Sequence, residues 1–197
     1  AHGGESFLLA MLRIGKIYIS RDRAEDAANL AKWFFDPEEG CFYLSELIEN
    51  ISREKHIKVL IEALKDQIKM IQQPLFRVPF VRTLLRYHGD RQMHAEFKNW
   101  FENGIQYCLN TEGSFDRFEP KFTLMLQTAA VYGYSDLVLE NIGKIPDLNF
   151  FDHILNTLLD DLLRLGNVGI AESIIARYQS LKSRDKFKDR IAETRSK

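Results

Sequence analysis

The stretch KHIKVLIEALKDQIKMI, Lys55 to Ile71, decides the fold class. Ile57, Leu60, Ile61, Leu64, Ile68 and Ile71 follow one another by three, one, three, four and three residues. That spacing puts all six on one stripe of an α-helix. Lys55, Lys58, Lys65 and Lys69 fall off the stripe and are expected to face water. Pro74 is expected to close this segment and Pro79 to open the next helix, since proline is tolerated in a first helical turn and not further in. Working outward, the same spacing recurs along nearly the whole chain. No stretch alternates strictly, Val and Thr are sparse, and Phe sits at helical intervals. The chain reads as all-α, without a β-sheet.

The breaks between apolar-periodic stretches are short and evenly placed. They fall at Ser20-Arg21-Asp22-Arg23, Ser52-Arg53-Glu54, His88-Gly89-Asp90, Gly133-Tyr134-Ser135-Asp136 and Leu165-Gly166-Asn167. Gly, Ser, Asp and Asn are the residues of helix stops and N-caps. Ser20, Ser52, Gly89, Gly133 and Gly166 lie 32, 37, 44 and 33 residues apart, a period typical of stacked helical hairpins. Looser connections lie between them, at Asp36–Gly40, Gln72–Pro79, Asn110–Pro120 and Lys144–Asn149. Ten helices in five antiparallel pairs follow, and no single pair can bury its own apolar face. Small residues suit the close approach of paired helices: Gly15 with Ala24, Ala27, Ala28 and Ala31, then Ala129 and Ala130, then Ala171 and Ala176.

Two windows resemble known repeats. Asn156, Thr157, Leu158, Leu159, Gly166, Val168 and Ala171 fall in step with the pentatricopeptide motif. Gly15-Lys16-Ile17-Tyr18, with Ala27 nine residues on, is similar to the tetratricopeptide pattern. The resemblance implies a right-handed α-solenoid of about five antiparallel helical hairpins. It also implies binding of peptides in a groove, or of single-stranded RNA at about one base per repeat. The pentatricopeptide base-reading slots would be Thr157 and Phe187, and Phe187 departs from the Asp, Asn or Ser preferred there. Residues 5–181 are read as the repeat domain and 182–197 as a basic C-terminal helix or connector. Residues 1–4 are read as an expression scar or the start of an excised fragment.

Composition narrows the function. The chain has 197 residues, 45% hydrophobic and 28% charged, with a net charge of −1. That is apolar enough for a core and too neutral for nucleic-acid binding through bulk charge alone. With only Cys41 and Cys108, a disulfide scaffold or a four-Cys metal site is excluded. Two distant cysteines fit reduced thiols, so an intracellular setting is expected, in cytoplasm, nucleus or mitochondrion. No stretch reaches the roughly 18 uncharged apolar residues of a membrane helix, so no membrane partner is expected.

No constellation of residues points to catalysis. His2, His56, His88, His94 and His153 form no metal-binding spacing. Glu38-Glu39 and Asp160-Asp161 are adjacent, and adjacent helical residues point about 100° apart. Glu38 and Glu39 after Pro37 suit a helix N-terminus, and Asp161 is a carboxylate that could face a groove, without a catalytic role expected of it. No Gly-rich phosphate loop or nucleophile–base–oxyanion set is present. The expectation is a non-enzyme without cofactor or metal.

Charge and aromatics mark the expected contacts. Arg77, Arg82, Arg86 and Arg91 lie among Phe76, Phe80 and Tyr87, suited to an acidic peptide or to stacked bases. Asp36–Glu54 carries a local −5, flanked by Trp33, Phe34, Phe35, Phe42 and Tyr43, more aromatics than one hairpin usually buries. Arg177–Lys197 carries a local +5 and reads as a solvated cap. The expected partner is a protein bound through Arg77, Arg82, Arg86, Tyr87, Arg91, Trp33, Phe34, Phe35, Phe42 and Tyr43. Single-stranded RNA is the alternative ligand, and a second copy of the chain the third.

Overall fold

The computed structural model describes residues 3–110, 119–144, 148–177 and 184–195, with side chains from 7–110, 119–144, 154–177 and 185–195. Among them run α1 (Gly3–Ser20), α2 (Ala24–Asn29), a 3-10 helix (Leu30–Trp33), α3 (Pro37–Glu49), α4 (Glu54–Met70) and α5 (Pro74–Asp90). There follow α6 (His94–Leu109), α7 (Glu119–Val131), α8 (Ser135–Ile142), α9 (Leu148–Arg164), α10 (Val168–Arg177) and α11 (Arg184–Arg195). The described residues are helical with no strand, as the periodicity requires. Most of the Asn110–Pro120 connection, the middle of Lys144–Asn149, Lys182 and the side chains of His2 and His153 lie outside the described residues.

Four of the junctions share one geometry. After α1, Asp22 adopts φ 63°, its N–H donates to Ile19 O at 3.0 Å and the Arg23 N–H to Tyr18 O at 2.9 Å. After α5, Gln92 adopts φ 55°, donating to Gly89 O at 3.0 Å while the Met93 N–H donates to His88 O at 2.9 Å. Gly133 (φ 80°) and Gly166 (φ 77°) repeat the pattern after α7 and α9. Each is a left-handed residue closing a helix with paired 6→1 and 5→2 bonds, which satisfies carbonyls that the helix end would orphan. Five residues further on stand Ala27, Phe97, Val138 and Ala171, all wholly buried. The turn thus sends the chain straight back into the core.

The structure shifts two expected boundaries. Pro74 opens α5 and does not close α4, and Pro79 lies inside α5. The apolar packing of Val78, Phe80, Val81 and Leu84, all buried, outweighs the one backbone bond that Pro79 cannot donate. Gly89 does not stop that helix, which runs on to Asp90. Its missing Cβ matters because a methyl there would overlap the Tyr132 ring.

Contacts divide the chain into two units, Ala1–Leu84 and Leu85–Lys197, with the division falling within α5. In the first, α1 packs on α2 and α3, and α4 packs on α2 and α3. Its core holds the whole α4 stripe, together with Leu44, Leu47 and Tyr43. Lys55, Lys58 and Lys69 face solvent and Lys65 is half-buried. Ala24, Ala27, Ala28 and Ala31 are buried where α2 and the 3-10 helix meet their neighbours. In the second unit, α7 packs on α6, α8 and α9, while α9, α10 and α11 pack on one another. Ala129, Ala130 and Ala171 are wholly buried, but Ala176 is exposed and takes no part in close helix packing. The basic helix α11 is docked through Phe187 and Ile191, both buried. Arg190 pairs with Asp160, and Arg195 with Glu172 at 2.7 Å.

Candidate functional site

The arginines between residues 77 and 91 are mostly spent on the fold. Arg77 Nε and Nη2 donate to Ile71 O at 2.8 and 2.6 Å, and Nη2 reaches Lys69 O at 3.4 Å. It therefore caps the end of α4, whose last carbonyls have no helical partner. Arg91 lies over the Tyr87 ring at 4.0 Å and donates to Tyr87 O at 3.1 Å. Tyr87 itself is buried. Arg86 interacts with Tyr132, whose hydroxyl donates to Asp90 at 2.8 Å. Burial and the Asp90 carboxylate push the Tyr132 phenol up to about 12. Arg82 is exposed. The expected arginine surface thus reduces to less than its sequence suggests.

The aromatic cluster also divides. Phe34 and Tyr43 are core residues. Their rings meet at 5.5 Å, and the Tyr43 hydroxyl donates to Ala27 O at 2.8 Å. Phe42 is half out and packs edge-on to buried Phe80 at 4.9 Å. Trp33 and Phe35 are what remain outside, at 74% and 104% exposure. They flank the entry to α3, whose N-cap Asp36 accepts the Glu38 N–H at 2.9 Å, with Glu38 and Glu39 in the first turn. A cleft of about 250 Å³ beside them is lined by Asp36, Pro37, Glu38, Met70, Gln72 and Phe76, among others. Met70 is largely exposed. Met70 and Phe76 give this cleft an apolar side and Asp36 and Glu38 an acidic one, while Trp33 and Phe35 stand exposed on the chain just before it.

A second groove runs between α2 and α4. Two depressions of about 440 and 330 Å³ adjoin at Glu25 and Val59. At one end Asp22 accepts Lys55 Nζ and His56 Nε2, each at 2.6 Å. Those two donors hold the Asp22 carboxyl down at about 2. His56 is buried and its Nδ1 has no hydrogen-bond partner. The charges lining this end largely neutralise one another, which makes it a joint between turns.

Other sequence candidates have structural roles. Asp161 accepts from Gln127 and pairs with Arg164 at 3.0 Å. His94 Nδ1 lies 2.8 Å from the Tyr134 hydroxyl. Cys41 and Cys108 are wholly buried. Burial pushes the Cys108 thiol up to about 12 and the Cys41 thiol higher still, far from a reactive thiolate. Phe187, the second base-reading slot of the resemblance, is a buried residue of α11. Among the described residues no group of three or more His, Cys, Asp or Glu is placed to hold a metal. No described helix is long and apolar enough to cross a membrane.

Sequence reasoning missed one surface. On α1, Phe7, Leu9, Ile14 and Ile17 are 41–54% exposed. Their spacing of seven and three residues from Phe7 to Ile14 to Ile17 is a readable signal. It went unseen because α1 carries a buried stripe as well, and periodicity alone does not say which stripe has a partner. No family model, no curated protein and no solved structure matches this chain.

Proposed function

We propose that each unit is a stack of helical hairpins of the α-solenoid kind, and that the chain is a non-catalytic scaffold binding other proteins within a larger protein. The observation that carries this is the order of packing. Each principal pair of α-helices in contact lies one or two α-helices apart along the chain, which is how helical repeats build a core from neighbours. Several side-chain bridges between helices have a matching spacing. Asp22 with Lys55 and His56, Ser45 with Thr83, His94 with Tyr134, Asp90 with Tyr132, and Gln127 with Asp161 span 33 to 42 residues. The tight turns in the sequence are separated by about that interval.

Trp33 and Phe35, exposed on the approach to α3, supply the anchors, since exposed aromatics dominate interface energetics. The acidic border of Asp36, Glu38 and Glu39 favours a partner segment that mixes apolar and basic side chains. Affinity purification with this chain as bait, against the Trp33→Ala plus Phe35→Ala variant, tests the reading. Both residues lie outside the core, so the variant folds and should lose its partner. Equal recovery would remove the aromatic surface from the scheme. Filter binding to single-stranded RNA at about 50 and 200 mM salt separates the RNA alternative, which requires retention at low salt and a steep loss at high salt. Light scattering separates the homodimer alternative.

A further inference from the structure

The groove between α2 and α4 has a described helix on each side, and away from the Asp22 end it is furnished differently. On one side stand Glu25, Ala28 and Asn29, on the other Val59, Ala63 and Gln67. Both sets follow helical spacing, so each is one face of its helix. Ala28, Val59 and Ala63 supply an apolar floor whose short side chains leave the groove open. Along α4 the groove runs from Lys55 to Gln67, about 18 Å. That is the reach of about five extended residues.

Most charges lining the groove are spent on one another. Asp22 is taken by Lys55 and His56, Arg23 pairs with Asp26 at 2.7 Å, and Asp66 pairs with Lys69 at 2.9 Å. Lys32, at the far end, donates to Asn29 Oδ1 at 3.0 Å and stays cationic. Glu25 lines both depressions. It is exposed and has no partner among the described residues. The Gln67 carboxamide and the Asn29 Nδ2 group also bond to no described residue.

These unspent groups say what fits. A helix pairs its own backbone and would leave the two amides facing side chains. An extended segment carries open N–H and C=O groups that match them. Glu25 attracts a cation, while Lys32 disfavours a second one at the far end, so the fit is to one Lys or Arg and not to a basic run. With Glu25 at the waist and Lys32 as the one unspent cation among the lining residues, a phosphate backbone is disfavoured. We propose that this groove binds an extended segment of a partner protein, with one Lys or Arg set on Glu25 and backbone amides on Asn29 and Gln67. The proposal rests on the reading of the chain as a protein-binding scaffold but not on the aromatic surface at Trp33 and Phe35.

The test is an NMR titration of this chain with three terminally blocked peptides of about six residues. One has a central Lys among Ala and Val, one has norleucine in place of the Lys, and one keeps the Lys on an N-methylated backbone. The Lys peptide should bind saturably and shift the side-chain amide signals of Asn29 and Gln67. It should bind roughly fivefold tighter than the norleucine peptide and roughly fivefold tighter than the N-methylated one. Glu25→Gln should erase the preference for Lys over norleucine, and Glu25→Lys should reverse it. Ala63→Leu should fill the groove and abolish binding with the far-UV circular dichroism unchanged. Glu25 is exposed, so its variants keep the test valid if Ala63→Leu disturbs the packing. Trp33→Ala plus Phe35→Ala should leave peptide binding unaltered, which separates failure here from failure of the proposed function. Equal affinity for the Lys and norleucine peptides would overturn the proposal. So would the absence of saturable binding, tighter binding of a helix-stapled Lys peptide, displacement of the peptide by single-stranded RNA, or a dimer lost on Ala63→Leu.

Discussion

Gly15→Ala ought to stabilise an isolated helix and should destabilise this protein. Gly15 lies well inside α1, where alanine is the better residue by roughly 1 kcal/mol. A Cβ there, however, would overlap the Tyr43 hydroxyl and stand 3.1 Å from Tyr43 Cζ and Leu47 Cδ1. Tyr43 cannot simply move aside. It is wholly buried, and its hydroxyl donates to Ala27 O at 2.8 Å. Overpacking of this kind costs about 1–3 kcal/mol, and disturbing the hydrogen bond adds about 1 kcal/mol. After subtracting the helix gain, Gly15→Ala should cost about 1–3 kcal/mol.

Tyr43→Phe alone should cost about 1 kcal/mol. Ala27 O keeps the Leu30 N–H, so no acceptor is orphaned. The two changes should not add. Removing the hydroxyl takes away the closest clash, so the double variant should be nearly as stable as Tyr43→Phe, a coupling of about 1–3 kcal/mol. The assay is urea unfolding of the four proteins, read by far-UV circular dichroism with m held as a check. A Gly15→Ala protein as stable as the parent would refute the reasoning. So would a cycle that is additive within error.

Three further outcomes follow from named contacts. Asp22 is held at about 2, below its ordinary 3.8, so it stabilises the fold above 3.8 and that contribution fades as pH falls toward 2. Asn tolerates the left-handed backbone, so Asp22→Asn should keep the turn and flatten the acid limb of Tm against pH; an unchanged limb would count against the Lys55 and His56 contacts. Arg77→Ala should cost about 1.5–3 kcal/mol in urea unfolding by uncapping α4, while exposed Arg82→Ala should stay within about 0.5 kcal/mol. Gly133→Ala and Gly166→Ala should each cost about 1–2 kcal/mol through backbone strain alone, since no atom lies within 4 Å of the added methyl. Gln92→Gly should move stability the other way.

The fold class was legible because its signals are local. The stripe from Ile57 to Ile71 needs only 3.6-residue periodicity, and the same holds for the turns at Gly133 and Gly166, where glycine announces a left-handed stop. Asp22 and Gln92 make the same turn without glycine; the break expected at Ser20–Arg23 falls on the first junction, and the one expected at His88–Asp90 lies just ahead of the second. The interaction surface was much less legible. Arg77, Arg91 and Tyr87 look like binding residues in sequence, yet they cap a helix, stack and fill the core. What decides their role is which carbonyl or ring lies opposite. The same is true of Phe34 and Tyr43 against Trp33 and Phe35, neighbours of one chemistry with opposite exposure. Helical spacing and the glycines at helix stops determined an all-α chain from sequence alone. Only tertiary structure decided which apolar stripe of α1 is covered and which arginines still face solvent, because burial is a property of what packs opposite a side chain.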